Sequence, residues 1–263
     1  MAPTGIALSG IRKRFVSRST QVQALDDFSL EVSGGEFVAL LGPSGCGKST
    51  VLRIAAGLER ADEGSVAVDG TKPQRLGRDG GLAVAFQDNA LLPWLSVRDN
   101  IALPYRLTRR RVEPERIEAL IELVGLSGFA RARPGELSGG MRQRVSIARS
   151  LVLRPRVLLL DEPFGALDAV TRHRLNVELA RILDAERSTT LLVTHSVEEA
   201  LFLADRVVVM TGRPGRVKLT MPVPFPRQRE RSILADPGFL RLAAELTAAL
   251  DEDDPTAAAG EPA

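Results

Sequence analysis

Apolar positions in this chain fall mostly into short unbroken runs, a pattern that predicts strands buried on both faces, with stretches of helical spacing between them. Runs of this kind occupy residues 37–41, 82–86, 156–161, 190–194 and 206–210. Nearer the N-terminus, residues 6–15, 28–32 and 66–68 read as shorter strands, the last ending in the turn signal Asp69-Gly70; together they predict an antiparallel sheet. Helical spacing appears at 49–56, stopped by Gly57, at 97–103, and at 115–124, stopped by Gly125. It returns at 145–151 behind Ser138, and after Ser196, which with Glu199 forms a capping-box pattern. The stretch from about 88 to 150 therefore reads as a helical lobe inserted into a sheet domain.

Composition narrows the class. With 263 residues and 44% apolar content the chain can bury a full core, and a net charge of +2 is too small to imply a nucleic-acid partner. The basic clusters at Arg109-Arg110-Arg111 and at Arg227, Arg229 and Arg231 read as solvated surface. A single cysteine excludes an internal disulfide, and Met1-Ala2-Pro3-Thr4-Gly5 lacks the basic and apolar regions of a signal peptide, so a cytoplasmic location is expected. No apolar run approaches the roughly 20 residues that cross a bilayer, so any membrane work is expected to go through a partner.

The chemistry begins with Gly42-Pro43-Ser44-Gly45-Cys46-Gly47-Lys48-Ser49-Thr50, which fits G-x-x-x-x-G-K-[ST] between a buried strand and a helix. Glycines let several backbone N–H groups converge on phosphate oxygens at the positive end of the helix. Lys48 would reach the β- and γ-phosphates and Ser49 would ligate Mg²⁺. Asp161 and Glu162 end a core strand, as a metal carboxylate and a general base beside that loop. Gln87 and His195 are delivered to equivalent strand ends, where open parallel sheets bind ligands. Ser138 with Gly139 and Gly140 caps a helix, and the two glycines exceed what a structural cap needs, which favours a second phosphate contact. Three features stay open: Phe15 stacks on a base or packs in the core; the Leu91–Leu95 run with the lone Trp94 is lobe core or a docking patch; Cys46 is a reactive thiol with a lowered pKa or a small inert hydrophobe.

In this order the motifs resemble the ATP-binding subunit of ABC transporters over about residues 6–250. Residues 42–50 look like Walker A, Gln87 the Q-loop glutamine, 137–143 the signature, 157–162 Walker B, Ala166-Leu167-Asp168 the D-loop, His195 the switch histidine and Phe15 the adenine-stacking aromatic. The resemblance implies an α/β fold: a P-loop NTPase core with a mainly parallel sheet, an N-terminal antiparallel β subdomain and an inserted α-helical subdomain. It implies one ATPase domain over 1–250 with a disordered tail from 251 to 263. It further implies ATP and Mg²⁺ as cofactors, with Gln87 joining Ser49 and Asp161 at the metal and Glu162, His195 and Gln87 in catalysis. ATP would lie between one subunit's Walker motifs and the other's Ser138, Gly139 and Gly140, with Asp168 near the nucleotide of a head-to-tail homodimer. The partners would be membrane permease subunits and, through them, a solute-binding protein, at the cytoplasmic face of the inner membrane. Phe86-Gln87-Asp88, Leu91-Leu92-Pro93-Trp94, residues 161–168 and Arg213-Pro214-Gly215-Arg216 look most like the nitrate, sulfonate and taurine importers, although Ser196 stands where these commonly carry Asp. No large regulatory domain is expected after the last strand. A non-transport ABC ATPase of DNA repair or translation would need a long coiled-coil insertion or a tandem cassette, and a simple P-loop kinase or GTPase would lack residues 137–143. The solute is not written in this chain, because selection would rest with the binding protein and permease.

Overall fold

A computed structural model describes residues 4–17, 20–165 and 168–252, and within them the apolar runs become two sheets. The smaller has the order β2-β1-β4, all antiparallel, from β1 (Thr4–Val16), β2 (Gln21–Ser33) and β4 (Glu63–Val68). The larger has the order β5-β6-β7-β3-β8-β9, from β3 (Phe37–Leu41), β5 (Leu82–Ala85), β6 (Val157–Asp161), β7 (Thr189–Val193), β8 (Arg206–Met210) and β9 (Val217–Pro222). It is parallel except for β9, which runs antiparallel to β8. The helices are α1 (Lys48–Ala55), α2 (Pro73–Arg78), α3 (Val97–Leu107), α4 (Pro114–Leu123), α5 (Gly139–Leu151), α6 (Ala169–Glu186), α7 (Val197–Leu203) and α8 (Pro237–Asp251). The expected α/β class with an N-terminal antiparallel sheet is what the chain adopts, and α3, α4 and α5 all lie between β5 and β6.

The central strands β3, β6 and β7 are buried at every position because both faces of the sheet are covered. Alternation across β3 splits the core. Val38 and Leu40 join the side containing α1 and the antiparallel sheet, while Ala39 and Leu41 join the side shared with the lobe helices and α6 to α8. β1 and β2 are longer than their apolar runs suggest, since polar residues continue the outward face past bulges near Asp27, whose φ is 52°. α2, α6, α8 and β9 were not expected. The acidic tail begins on Asp251 and Glu252, and the remainder of that predicted segment lies outside the described residues.

Candidate functional site

Four neighbouring strands finish along one edge of the large sheet, and their registers decide which side chains meet there. Ala85 lies opposite Leu160, Asp161 opposite Val193, and Leu40 opposite Val193 on the other side. The residues that follow, Gln87 after β5, Glu162 after β6, His195 after β7 and the 42–50 loop after β3, are therefore neighbours although far apart in sequence.

The loop curls through left-handed turns at Gly45 (φ 73°) and Gly47 (φ 109°), and a Cβ at Gly47 would sit 2.9 Å from the Ala24 carbonyl oxygen. Lys48 opens α1 and is buried; its Nζ donates to the carbonyl oxygens of Gly42 at 2.7 Å and Pro43 at 2.9 Å, which keeps the ammonium folded over the loop. Ser49 Oγ donates to Asp161 Oδ1 at 3.0 Å. Burial raises the affinity of the Asp161 carboxyl for its proton, an effect the Ser49 hydrogen bond partly offsets. Glu162 adopts φ 46°, and its N–H continues the pairing with β7 by donating to the Val193 carbonyl at 2.9 Å. Its Oε2 then lies 3.3 Å from His195 Nδ1 and accepts from Gln87 Nε2 at 3.5 Å. Hydroxyl and carboxylate oxygens converging at Ser49 and Asp161 are the hard ligands a Mg²⁺ ion takes alongside phosphate oxygens. Among the described residues no cluster of three or more His, Cys, Asp or Glu could hold a metal ion.

These groups surround a cleft of about 350 Å³ lined by Phe15, Lys48, Ser49, Gln87, Glu162 and Arg213, among others. Phe15 is 43% exposed, so it belongs to the cleft rather than the core, with the Lys13 ammonium 5.1 Å from its ring centroid. A larger cleft, about 750 Å³, opens at the opposite end of the strands around Glu36, Arg156 and Arg187, but it contains none of the phosphate-loop or strand-end residues. Ser138, Gly139 and Gly140 do not line the cleft that holds Lys48 and Glu162: Ser138 caps α5 by accepting the Met141 N–H at 3.2 Å. Asp168 is likewise outside it, capping α6 through the Thr171 N–H at 2.9 Å, a bond that lowers its carboxyl pKa. Ala166 and Leu167 lie outside the described residues.

Burial favours one of the two readings left open for Cys46. The local charge of Lys48 suggests a lowered pKa, yet the side chain is only 1% exposed, packs with the core side of β3, and has its pKa raised because burial outweighs Lys48. Its Sγ accepts from the Lys48 ammonium at 3.8 Å, so the side chain is packed beneath the loop in the manner of a small hydrophobe. Trp94 goes the other way, to the surface at 66% exposure. The loop that presents it is fixed by residues that belong to no sequence motif. Buried Asn100 accepts from the Leu92 N–H and donates to the carbonyls of Leu92, Leu95 and Ser96, and Arg149 of α5 donates to the carbonyls of Asn89 and Ala90, each at 2.8 Å. Behind His195, the hydroxyl of Thr194 accepts the Ser196 N–H at 3.1 Å and bonds the buried carboxylate of Glu199.

A family model described as ABC transporter matches residues 25–165. Among curated proteins, the chain is 44% identical to a nitrate import ATP-binding protein of Synechococcus elongatus, covering 89% of this chain and 87% of that one. It is 44% identical to a taurine import ATP-binding protein of Pseudomonas aeruginosa, over 90% of this chain and 92% of that one. An aliphatic sulfonates import ATP-binding protein of Bacillus cereus is 41% identical over 85% of this chain and 89% of its own. Among solved structures, a dimeric ATP-binding cassette in a post-hydrolysis state bound to ADP and Pi superposes with a TM-score of 0.77 at 30% identity, covering 84% of this chain and all of that one.

Proposed function

This chain belongs to the ABC transporter family as an ATP-hydrolysing import subunit, and we propose that its hydrolysis drives uptake of a small oxyanionic solute, such as nitrate, an aliphatic sulfonate or taurine, through a separate permease. The relatives' names support the solute class. One observation carries the catalytic part: the Glu162 carboxylate is held between His195 and Gln87 at the edge of the phosphate loop, beside the converged oxygens of Ser49 and Asp161.

Each residue's work follows from its position. Lys48 exchanges the carbonyls of Gly42 and Pro43 for phosphate oxygens, a charge-assisted bond in place of two neutral acceptors. Glu162 takes the proton from the attacking water, and His195 and Gln87 keep its carboxylate aimed. Ser49, Asp161 and the Gln87 amide oxygen are the residues that would hold Mg²⁺, which when bound neutralises charge on the β- and γ-phosphates. Phe15 stacks on the adenine. Ser138, Gly139, Gly140 and Asp168 lie off this cleft because they serve the nucleotide of the second subunit in a head-to-tail homodimer. Residues 1–250 act as one ATPase domain whose lobe, about 88–150, meets the permease. The assembly sits at the cytoplasmic face of the inner membrane and receives its solute from a binding protein.

Reconstituting the subunit with its permease and binding protein in vesicles and following nitrate, alkylsulfonate, taurine and bicarbonate tests the proposal. ATP-dependent accumulation of one of them is expected; hydrolysis with no uptake of any would overturn the solute class.

A further inference from the structure

Arg213 is a part of the cleft that the family motifs leave without a role. It lies in the turn after β8, and its guanidinium donates through Nε at 3.2 Å and Nη2 at 2.9 Å to the carbonyl oxygen of Gly45, in the middle of the phosphate loop. The turn is pressed into place from two sides. Gly215 donates to the Ala24 carbonyl at 2.9 Å and accepts from the Asp26 N–H at 3.2 Å, which ties the turn to β2. A Cβ at Gly215 would stand 2.2 Å from the Cys46 carbonyl oxygen, so only glycine lets the turn approach the loop this closely. The neighbouring Arg216 is paired with Asp26, and Thr211 closes the turn by exchanging hydrogen bonds with Arg216.

Arg213 differs from Arg216 in having no carboxylate within ion-pair distance among the described residues. Two of its five N–H donors are spent on one carbonyl, so three remain together with the full positive charge. Arg213 lines the same cleft as Ser44, Gly45 and Lys48, and it grips the loop at the Gly45 carbonyl whereas the Lys48 ammonium grips it at the carbonyls of Gly42 and Pro43. A planar cation fixed at one edge and bare at the other is suited to a phosphate oxygen.

We propose that Arg213 is a nucleotide-binding residue that contacts the polyphosphate from outside the loop, so that the phosphates are held between Lys48 and Arg213 of one subunit. This rests on the reading of the cleft as the ATP site. The anchor on Gly45, rather than on the ring of Phe15, assigns the contact to phosphate and not to the base.

Binding of ATP and adenosine is measured by fluorescence titration at low and high salt for the wild type, Arg213→Ala, Arg213→Gln, Arg213→Lys and Lys48→Ala. Glutamine keeps a donor for the Gly45 carbonyl and loses the charge, which separates phosphate contact from support of the loop. Expected are about tenfold weaker ATP binding in the Ala and Gln variants, recovery in Lys, a shallower salt dependence wherever the charge is gone, and unchanged adenosine binding. Wild-type ATP affinity in Arg213→Ala, or in Arg213→Gln while the Ala variant is weak, overturns the phosphate contact, as does an equal loss for adenosine. Lys48→Ala separates the two levels: if it too binds ATP normally, the nucleotide reading of the cleft fails; if it is weak while the Arg213 variants are normal, only the assignment of Arg213 falls.

Discussion

Trp94→Ala separates a docking residue from a packing residue, because the structure divides its surface unequally between the two. A Trp side chain presents roughly 250 Å², and with 66% of it exposed about 165 Å² is open to a partner. At about 25 cal/mol per Å² that surface can contribute up to about 4 kcal/mol to assembly, against about 2 kcal/mol for the part already buried in the fold. Ordering costs and incomplete burial reduce the first figure, so permease affinity is expected to fall about 10- to 100-fold. Asn100 holds the carbonyls on both sides of the loop, so the variant keeps the loop's shape and loses only the ring. The assay pairs a titration of the subunit into its permease in nanodiscs with thermal melting and basal ATPase of the isolated subunit. Unchanged affinity, or a melting temperature lowered further than loss of the buried third of the ring explains, would refute the reasoning.

Glu162→Gln keeps the shape of the His195 and Gln87 contacts but cannot accept a proton; turnover should fall by about 10²- to 10⁴-fold with ATP binding intact and an ATP-bound dimer accumulating on a sizing column, and near-normal turnover removes Glu162 from the role. A mixture of Lys48→Ala and Ser138→Arg chains forms one intact composite site per heterodimer, so transporter ATPase should partly return relative to either parent; a dead mixture rules out the trans arrangement. Glu199 is pushed up by burial, with Arg172 and His195 pulling it back and Glu162 adding to the rise. A raised folded pKa means that its charge costs stability above that pKa and the cost disappears as the pH falls through it. Glu199→Gln should therefore melt roughly 2–4 °C higher at neutral pH, a gap that closes on acidification; a gap that widens in acid would contradict the assignment. Maleimide should leave Cys46 unlabelled in the native subunit and label it after unfolding; rapid native labelling slowed by ATP would restore the reactive reading.

Sequence conveyed most where backbone and chemistry coincide locally. The runs at 37–41 and 206–210 match β3 and β8 at both ends, because a strand covered on both faces is apolar at nearly every position. α6 escaped notice because its buried seam is the single row Leu175, Leu179 and Leu183 among charged residues, and β9 because it is a short edge strand with alternating polarity. The strand-end groups could be named one at a time, whereas their mutual distances depend on registers between strands that are not adjacent in sequence, such as Phe37 opposite Thr190 and Leu82 opposite Val157. Cys46 was ambiguous for the same reason: Lys48 is two residues away in sequence, but the core that buries the thiol is assembled from β2, β3 and α1. Arg213, Arg149 and Asn100 bind backbone carbonyls, which carry no residue-type signature, across 168, 59 to 60, and 4 to 8 positions respectively.

The pair of hydrogen bonds from Arg149 gives α5 two ends with different neighbours. Its last turn grips Asn89 and Ala90, just ahead of Trp94, and its first residue follows Ser138. Thirteen residues make a stiff rod about 20 Å long. A displacement of the Asn89-Ala90 segment is therefore conveyed lengthwise, as by a connecting rod, to the Ser138 cap at the other end of α5, which in the proposed head-to-tail dimer is the end turned toward the second subunit.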